Sequence, residues 1–146
     1  DLNMGCPVPK VCKTGAGAAL LEDPGRAVEL AIAAREGSGL PVTVKLRSGA
    51  TPGDRSGAVL AHRLVDEAGV AAIGFHPRHA AQHHKGTPDY ELAAELVDEL
   101  PVPVLISGGL RHDLSPGERL EITAMGVCMG VGVWAVSHSL RFRAER

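Results

Sequence analysis

The sequence predicts an α/β fold of parallel strands joined by helices, arranged as a (β/α)8 TIM barrel. Three observations predict it. Short β-branched runs alternate with longer amphipathic segments, the pattern of repeated strand and helix units around a parallel sheet. Pairs of an N-cap residue and a proline mark the starts of helices, because proline's missing N–H costs nothing at the first helical position. Finally, the residues that interrupt the apolar strands, Cys6, Lys45, His76, Ser107 and Gly130, all fall at carboxyl ends and recur every 23 to 39 residues. That interval is close to the roughly 30 residues of a strand-helix-strand repeat. The carboxyl ends of a barrel all open on one face, where active sites are built. A doubly wound sheet binds ligands only at its switch point and would not gather residues from every successive strand.

In chain order, strands are expected at residues 1–3, 41–46, 71–76, 102–107 and 126–130. Asp23-Pro24, Thr87-Pro88 and Ser115-Pro116 each predict the start of a helix. A further helix is expected over 56–68, with Val59, Leu60, Leu64 and Val65 as its apolar stripe and Gly69 as its stop. No linker, charge block or low-complexity stretch interrupts the alternation, so residues 1–146 read as one domain. About five of eight strands are counted, which do not close a barrel; the domain reads as a partial one.

The 146 residues are 45% hydrophobic and 22% charged, ordinary for a globular protein with a core. No apolar run approaches the roughly 20 residues of a membrane helix, and a cytoplasmic protein is expected. A net charge of −2 gives no global basic field, so a nucleic acid would have to be held by local charges. Cys6, Cys12 and Cys128 lack paired metal-site spacing and read as reduced thiols. His83-His84 lacks a third ligand at a sensible spacing and reads as an exposed loop, without a metal.

Four motifs in register then carry a resemblance. Asn3-Met4-Gly5-Cys6-Pro7, followed by Lys10-Val11 and by residues 15–21 (Gly-Ala-Gly-Ala-Ala-Leu-Leu), resembles the active-site signature of the tRNA-dihydrouridine synthases. It is joined in the same order by residues 42–47 (Val-Thr-Val-Lys-Leu-Arg), by His76-Pro77-Arg78 with Ala81-Gln82 and Gly86, and by Ser107-Gly108-Gly109. The resemblance implies a TIM barrel that binds FMN at its mouth, uses NADPH as reductant and acts on a uridine of tRNA. It also implies a fragment covering the later strands, with the N-terminal strands and a C-terminal helical tRNA-binding domain absent.

Reducing the 5,6-double bond of uracil needs a hydride at C6 and a proton at C5. Thiols ordinarily titrate near pH ~8.5 and are mostly protonated at neutrality, so Cys6 is suited to give that proton, and the resemblance makes it the donor. Cys12 and Cys128 read as small buried apolar residues. Lys45 and His76 interrupt apolar strands, where a buried lysine needs a counter-charge; the resemblance places both on FMN. Asn3, Arg47 and Arg78 are assigned to the uridine or its phosphates. Ser107, Gly108, Gly109, Gly130 and Val131 are assigned to the cofactor, their glycines letting backbone N–H groups approach its phosphate.

Two departures stand out. Where the family commonly has Asn-Gly-Asp this chain has Ser107-Gly108-Gly109, and where it has Gly-Arg-Gly this chain has Gly130-Val131-Gly132. Losing that arginine removes a bidentate phosphate donor. The alternatives are another FMN-binding barrel oxidoreductase, similar to dihydroorotate dehydrogenase, and a non-catalytic remnant of the family.

Overall fold

The computed structural model describes residues 1–108 and, as backbone, two later strands. Its order is β1 (Leu2–Asn3), α1 (Pro9–Cys12), a 3-10 turn (Gly17–Leu21), α2 (Pro24–Ser38), β2 (Thr43–Arg47), α3 (Ser56–Asp66) and β3 (Ala72–His76). A second 3-10 turn (Ala80–Gln82), α4 (Tyr90–Glu99) and β4 (Val104–Ile106) follow, then β5 (Arg119–Ala124) and β6 (His138–Arg143). Strands β1 to β4 form a parallel sheet in the order β1-β2-β3-β4. Each strand thus neighbours the next in sequence, with no reversal, which is consistent with an arc of a (β/α)8 barrel rather than a doubly wound sheet.

The helices form where the local chemistry starts and stops them. The Asp23 carboxylate accepts from Arg26 N at 3.0 Å with Pro24 at the first helical position, as the sequence predicts. Gly39, at φ 64°, ends α2. An Arg35 guanidinium nitrogen then donates to Ala68 O at 2.6 Å, tying the end of α2 to the turn after α3. Alternation in β2 and β3 buries Val44, Leu46, Ile73 and Phe75 beneath Ala27, Ala31, Leu60, Leu64, Leu92 and Leu96 of the helices. Each large apolar side chain buried in this way contributes about 1.5–3 kcal/mol.

The structure moves several expected elements. The helix expected at Thr87-Pro88 begins at Tyr90, because the Asp89 carboxylate, accepting from Leu92 N at 3.0 Å, takes the cap position. Val59, assigned to the apolar stripe of α3, is 60% exposed; Leu60 and Leu64 carry that stripe, with Ala61. Residues 119–124, expected within a helix begun at Ser115-Pro116, form β5, paired antiparallel with β6. The alternation of Arg119, Leu120, Glu121 and Ile122 has the period of a strand, and it outweighs the helix-start signal before it. The fifth parallel strand expected at 126–130 lies outside the described residues.

Candidate active site

The carboxyl ends of β1, β2, β3 and β4 converge on a cleft of about 490 Å³, within the range of small-ligand sites. Asn3, Cys6, Lys45, Arg47, His76, Ser107 and Gly108 line it, together with Asp1, His83 and His84. Seven of the residues singled out in the sequence therefore share one cavity. Arg78 lies just behind it, and Gly109, Gly130 and Val131 lie outside the described residues.

The register explains the convergence. Asn3 pairs with Lys45, Lys45 with Gly74, and Arg47 with His76. Gly74 lets the lysine lie flat across the sheet: a Cβ there would sit 2.7 Å from Lys45 Cδ. Burial, and then the charge of Arg47, push the Lys45 amine down to about 8.

Cys6 is held by its neighbours' backbones. Its carbonyl accepts from Ala18 N at 2.9 Å and from the Cys12 thiol at 3.4 Å. Gly5 packs against the Leu46–Arg47 peptide, and its N–H donates to Asn3 Oδ1 at 3.1 Å. Its carbonyl accepts from Arg47 Nε at 3.0 Å. The half-buried thiol thus stands at a fixed point on the cleft wall.

Arg47 and Arg78 are both buried and fasten the loop after β3. Arg47 Nη1 donates to His83 O at 2.8 Å and to His79 O at 3.3 Å. Arg78 donates through Nε and Nη2 to Gly86 O at 3.2 and 3.0 Å, and through Nη1 to His76 Nε2 at 3.2 Å. Burial and the Arg78 charge hold Arg47 below an arginine's ordinary pKa, with Cys6 opposing. Burial, then the charges of Arg47, Lys45, Arg78 and His84, push His76 down to about 3, so its ring is neutral. The loop that leads out of β2 is braced by Asp54, which accepts from Ala50 N, Ser56 N and Ser56 Oγ.

Sequence reasoning did not find two histidines of the cleft. His83 and His84 line the cleft, and the His84 ring lies 5.6 Å from that of His76. Gly108, at φ 94°, is a glycine because a Cβ there would fall on the His76 ring. The signal for His84 was only its distance from His76 along a loop whose path the sequence leaves open.

These groups suit an anionic, partly apolar ligand with hydrogen-bonding edges. Lys45 sets a cation in a desolvated wall, His76 offers a neutral N–H, and Ser107 and Gly108 offer a hydroxyl and backbone at the end of β4. That donor set fits a flavin.

Residues 1–134 match the family model described as dihydrouridine synthase. The chain is 33% identical over 129 residues to tRNA-dihydrouridine synthase B of Xanthomonas campestris, covering 88% of this chain and 39% of that protein. It is 39% identical over 135 residues to a probable tRNA-dihydrouridine synthase of Mycobacterium tuberculosis, covering 90% and 34%. A probable tRNA-dihydrouridine synthase of Rickettsia bellii is 32% identical over 154 residues, covering 100% and 47%. The chain spans between about a third and a half of the length of these relatives. With most of its length matched by one family model, and the motifs of the cleft in that stretch, the chain belongs to the dihydrouridine synthase family.

Proposed function

We propose that the protein reduces the 5,6-double bond of a uridine in tRNA to 5,6-dihydrouridine, with FMN in this cleft and NADPH as the reductant. The observation that supports this most is the cleft itself: a half-buried thiol, Cys6, faces the same cavity as Lys45 and a neutral His76. Bound FMN, reduced by NADPH, supplies the hydride for uracil C6. Cys6 gives the proton to C5 from its fixed point on the wall.

Lys45, mostly charged at pH 7, places a cation where an electron-rich ring must be stabilised. His76 would donate to the cofactor from its neutral ring, and Ser107 and Gly108 would help to hold it from the end of β4. Gly109, Gly130 and Val131 are the residues proposed for its phosphate. Asn3 and Arg47 present polar atoms to the uridine. Arg78 is a positioning residue that acts through His76 and the loop to Gly86. A tRNA substrate also supports a cytoplasmic place of action.

The test is made in the full protein. Cys6→Ala is expected to keep flavin binding and flavin reduction by NADPH while dihydrouridine formation in tRNA falls by roughly 10² to 10⁴. Unchanged dihydrouridine formation would remove Cys6 from the mechanism. Failure of the unsubstituted protein to hold flavin would favour a non-catalytic remnant, and reduction of a free pyrimidine in place of tRNA a dihydroorotate-dehydrogenase-like enzyme.

A further inference from the structure

We propose that Cys6 and Cys12 form an intramolecular disulfide under peroxide, an oxidative modification site in the wall of the cleft. The two thiols are six residues apart, both half-buried and both free. The Cys12 sulfur already lies 3.4 Å from the Cys6 carbonyl oxygen. A residue's carbonyl oxygen and Cβ are only about 3 Å apart, so that sulfur is no more than roughly 6.5 Å from the Cys6 Cβ.

The remaining gap falls on the softer partner. Cys6 is hemmed in by Gly5, Gly17 and the β2 backbone. Cys12, by contrast, ends a single helical turn, Pro9–Cys12, that buries none of its residues and lacks a side-chain cap. That turn is held by hydrogen bonds to Val8 O and Pro9 O and is followed by Gly15 and Gly17, both at positive φ. A short turn with exposed hydrogen bonds is the kind of segment that opens at little cost. Swinging it toward Cys6 brings the two Cβ atoms toward the roughly 3.5–4.5 Å that a disulfide requires.

The chemistry balances with a hydroperoxide as oxidant. The Cys6 sulfur, which peroxide reaches through the cleft, attacks the O–O bond, giving a sulfenic acid and one water. The Cys12 sulfur then displaces the hydroxyl, which leaves with a proton as a second water, and the S–S bond forms. Two thiols lose two electrons and the peroxide gains them. The bond removes the proton of the Cys6 thiol, so dihydrouridine formation stops until a thiol reductant restores it. Only this last consequence rests on the reading of Cys6 as proton donor.

Lys10 stands between the cysteines and Lys13 follows the second, so trypsin separates them unless the disulfide joins their peptides. The full protein is treated with hydrogen peroxide, alkylated, digested and weighed by mass spectrometry, with and without dithiothreitol. The expected result is a linked species joining the peptide that ends at Lys10 to residues 11–13, two hydrogens lighter than the sum and lost on reduction. Cys12→Val and Cys12→Ser are expected to abolish it and to send Cys6 on to the irreversible sulfinic acid. Peroxide that consumes Cys6 without producing this species, or that links Cys6 to the peptide of Cys128, overturns the proposal. Because the readout is a mass, it stands or falls apart from the activity.

Discussion

Arg78 Nη1 lies 3.2 Å from His76 Nε2, both side chains being buried at the carboxyl end of β3. A guanidinium can only donate, so this imidazole nitrogen accepts and the ring proton sits on Nδ1. One contact therefore fixes both the charge and the tautomer of His76. The three cations around the ring, Arg47, Lys45 and Arg78, act in the same direction once burial has disfavoured the charged form.

A neutral, buried His76 makes the fold sensitive to acid. The unfolded chain protonates this imidazole as pH falls through ~6.5, whereas the folded chain resists until about 3. Between those values the unfolded state binds more protons, so stability falls with falling pH. From pH 7 to pH 4 the loss assigned to this ring is about 1–3 kcal/mol. Urea unfolding at the two pH values is expected to show a smaller loss for His76→Asn than for the unsubstituted protein. Equal losses would show that the ring protonates freely in the folded state.

Lys45 gives the opposite trade. Its amine is held down to about 8 by burial and by Arg47, so carrying its charge at pH 7 costs stability in the absence of an anionic ligand. Lys45→Met keeps a straight apolar stem over Gly74 and removes the charge. It is expected to stabilise the flavin-free protein by about 1–3 kcal/mol while weakening flavin binding by at least about tenfold, the scale of one charged hydrogen bond. Thermal unfolding and flavin titration measure the two effects. A destabilised variant with unaltered flavin affinity would make Lys45 a packing residue alone.

What the sequence disclosed and what it withheld divide along sequence distance. Lys45 and His76 were legible because a polar group in an apolar strand is a local contradiction that can be read in place. The cap at Asp23 was legible for the same reason, and the shift from Thr87 to Asp89 shows how two neighbouring cap residues compete within one turn. The partners of Arg47 and Arg78 were not legible: their hydrogen bonds run to the carbonyls of Gly5, His79, His83 and Gly86, and a carbonyl leaves no mark on residue identity. Gly74 stayed hidden until the register set it opposite Lys45. At residues 119–124 two signals conflicted, a helix start at Ser115-Pro116 and a strand alternation after it, and the pairing with β6 decided for the strand.

The same contrast between local and distant constraint can be tested at two glycines that follow α1. Gly15 and Gly17 both have positive φ, 76° and 62°, so an alanine at either pays about 1–2 kcal/mol for the left-handed region. Their surroundings differ. A Cβ on Gly15 meets nothing within 4 Å, whereas one on Gly17 would lie 2.6 Å from Cys6 O, 3.0 Å from Val11 Cγ1 and 3.1 Å from Cys6 Cβ. The first of these atoms is backbone that also accepts from Ala18 N, so it cannot yield without moving Cys6. Gly17→Ala is therefore expected to cost about 2–4 kcal/mol in urea unfolding, against about 1–2 for Gly15→Ala. It should also lower dihydrouridine formation at temperatures where the variant remains folded, because the thiol leaves its point on the cleft wall. Flavin affinity, which we propose rests on Lys45, His76 and the end of β4, should change little in either variant. If the two alanines cost the same and both leave dihydrouridine formation intact, the packing around Cys6 does not set the position of its proton.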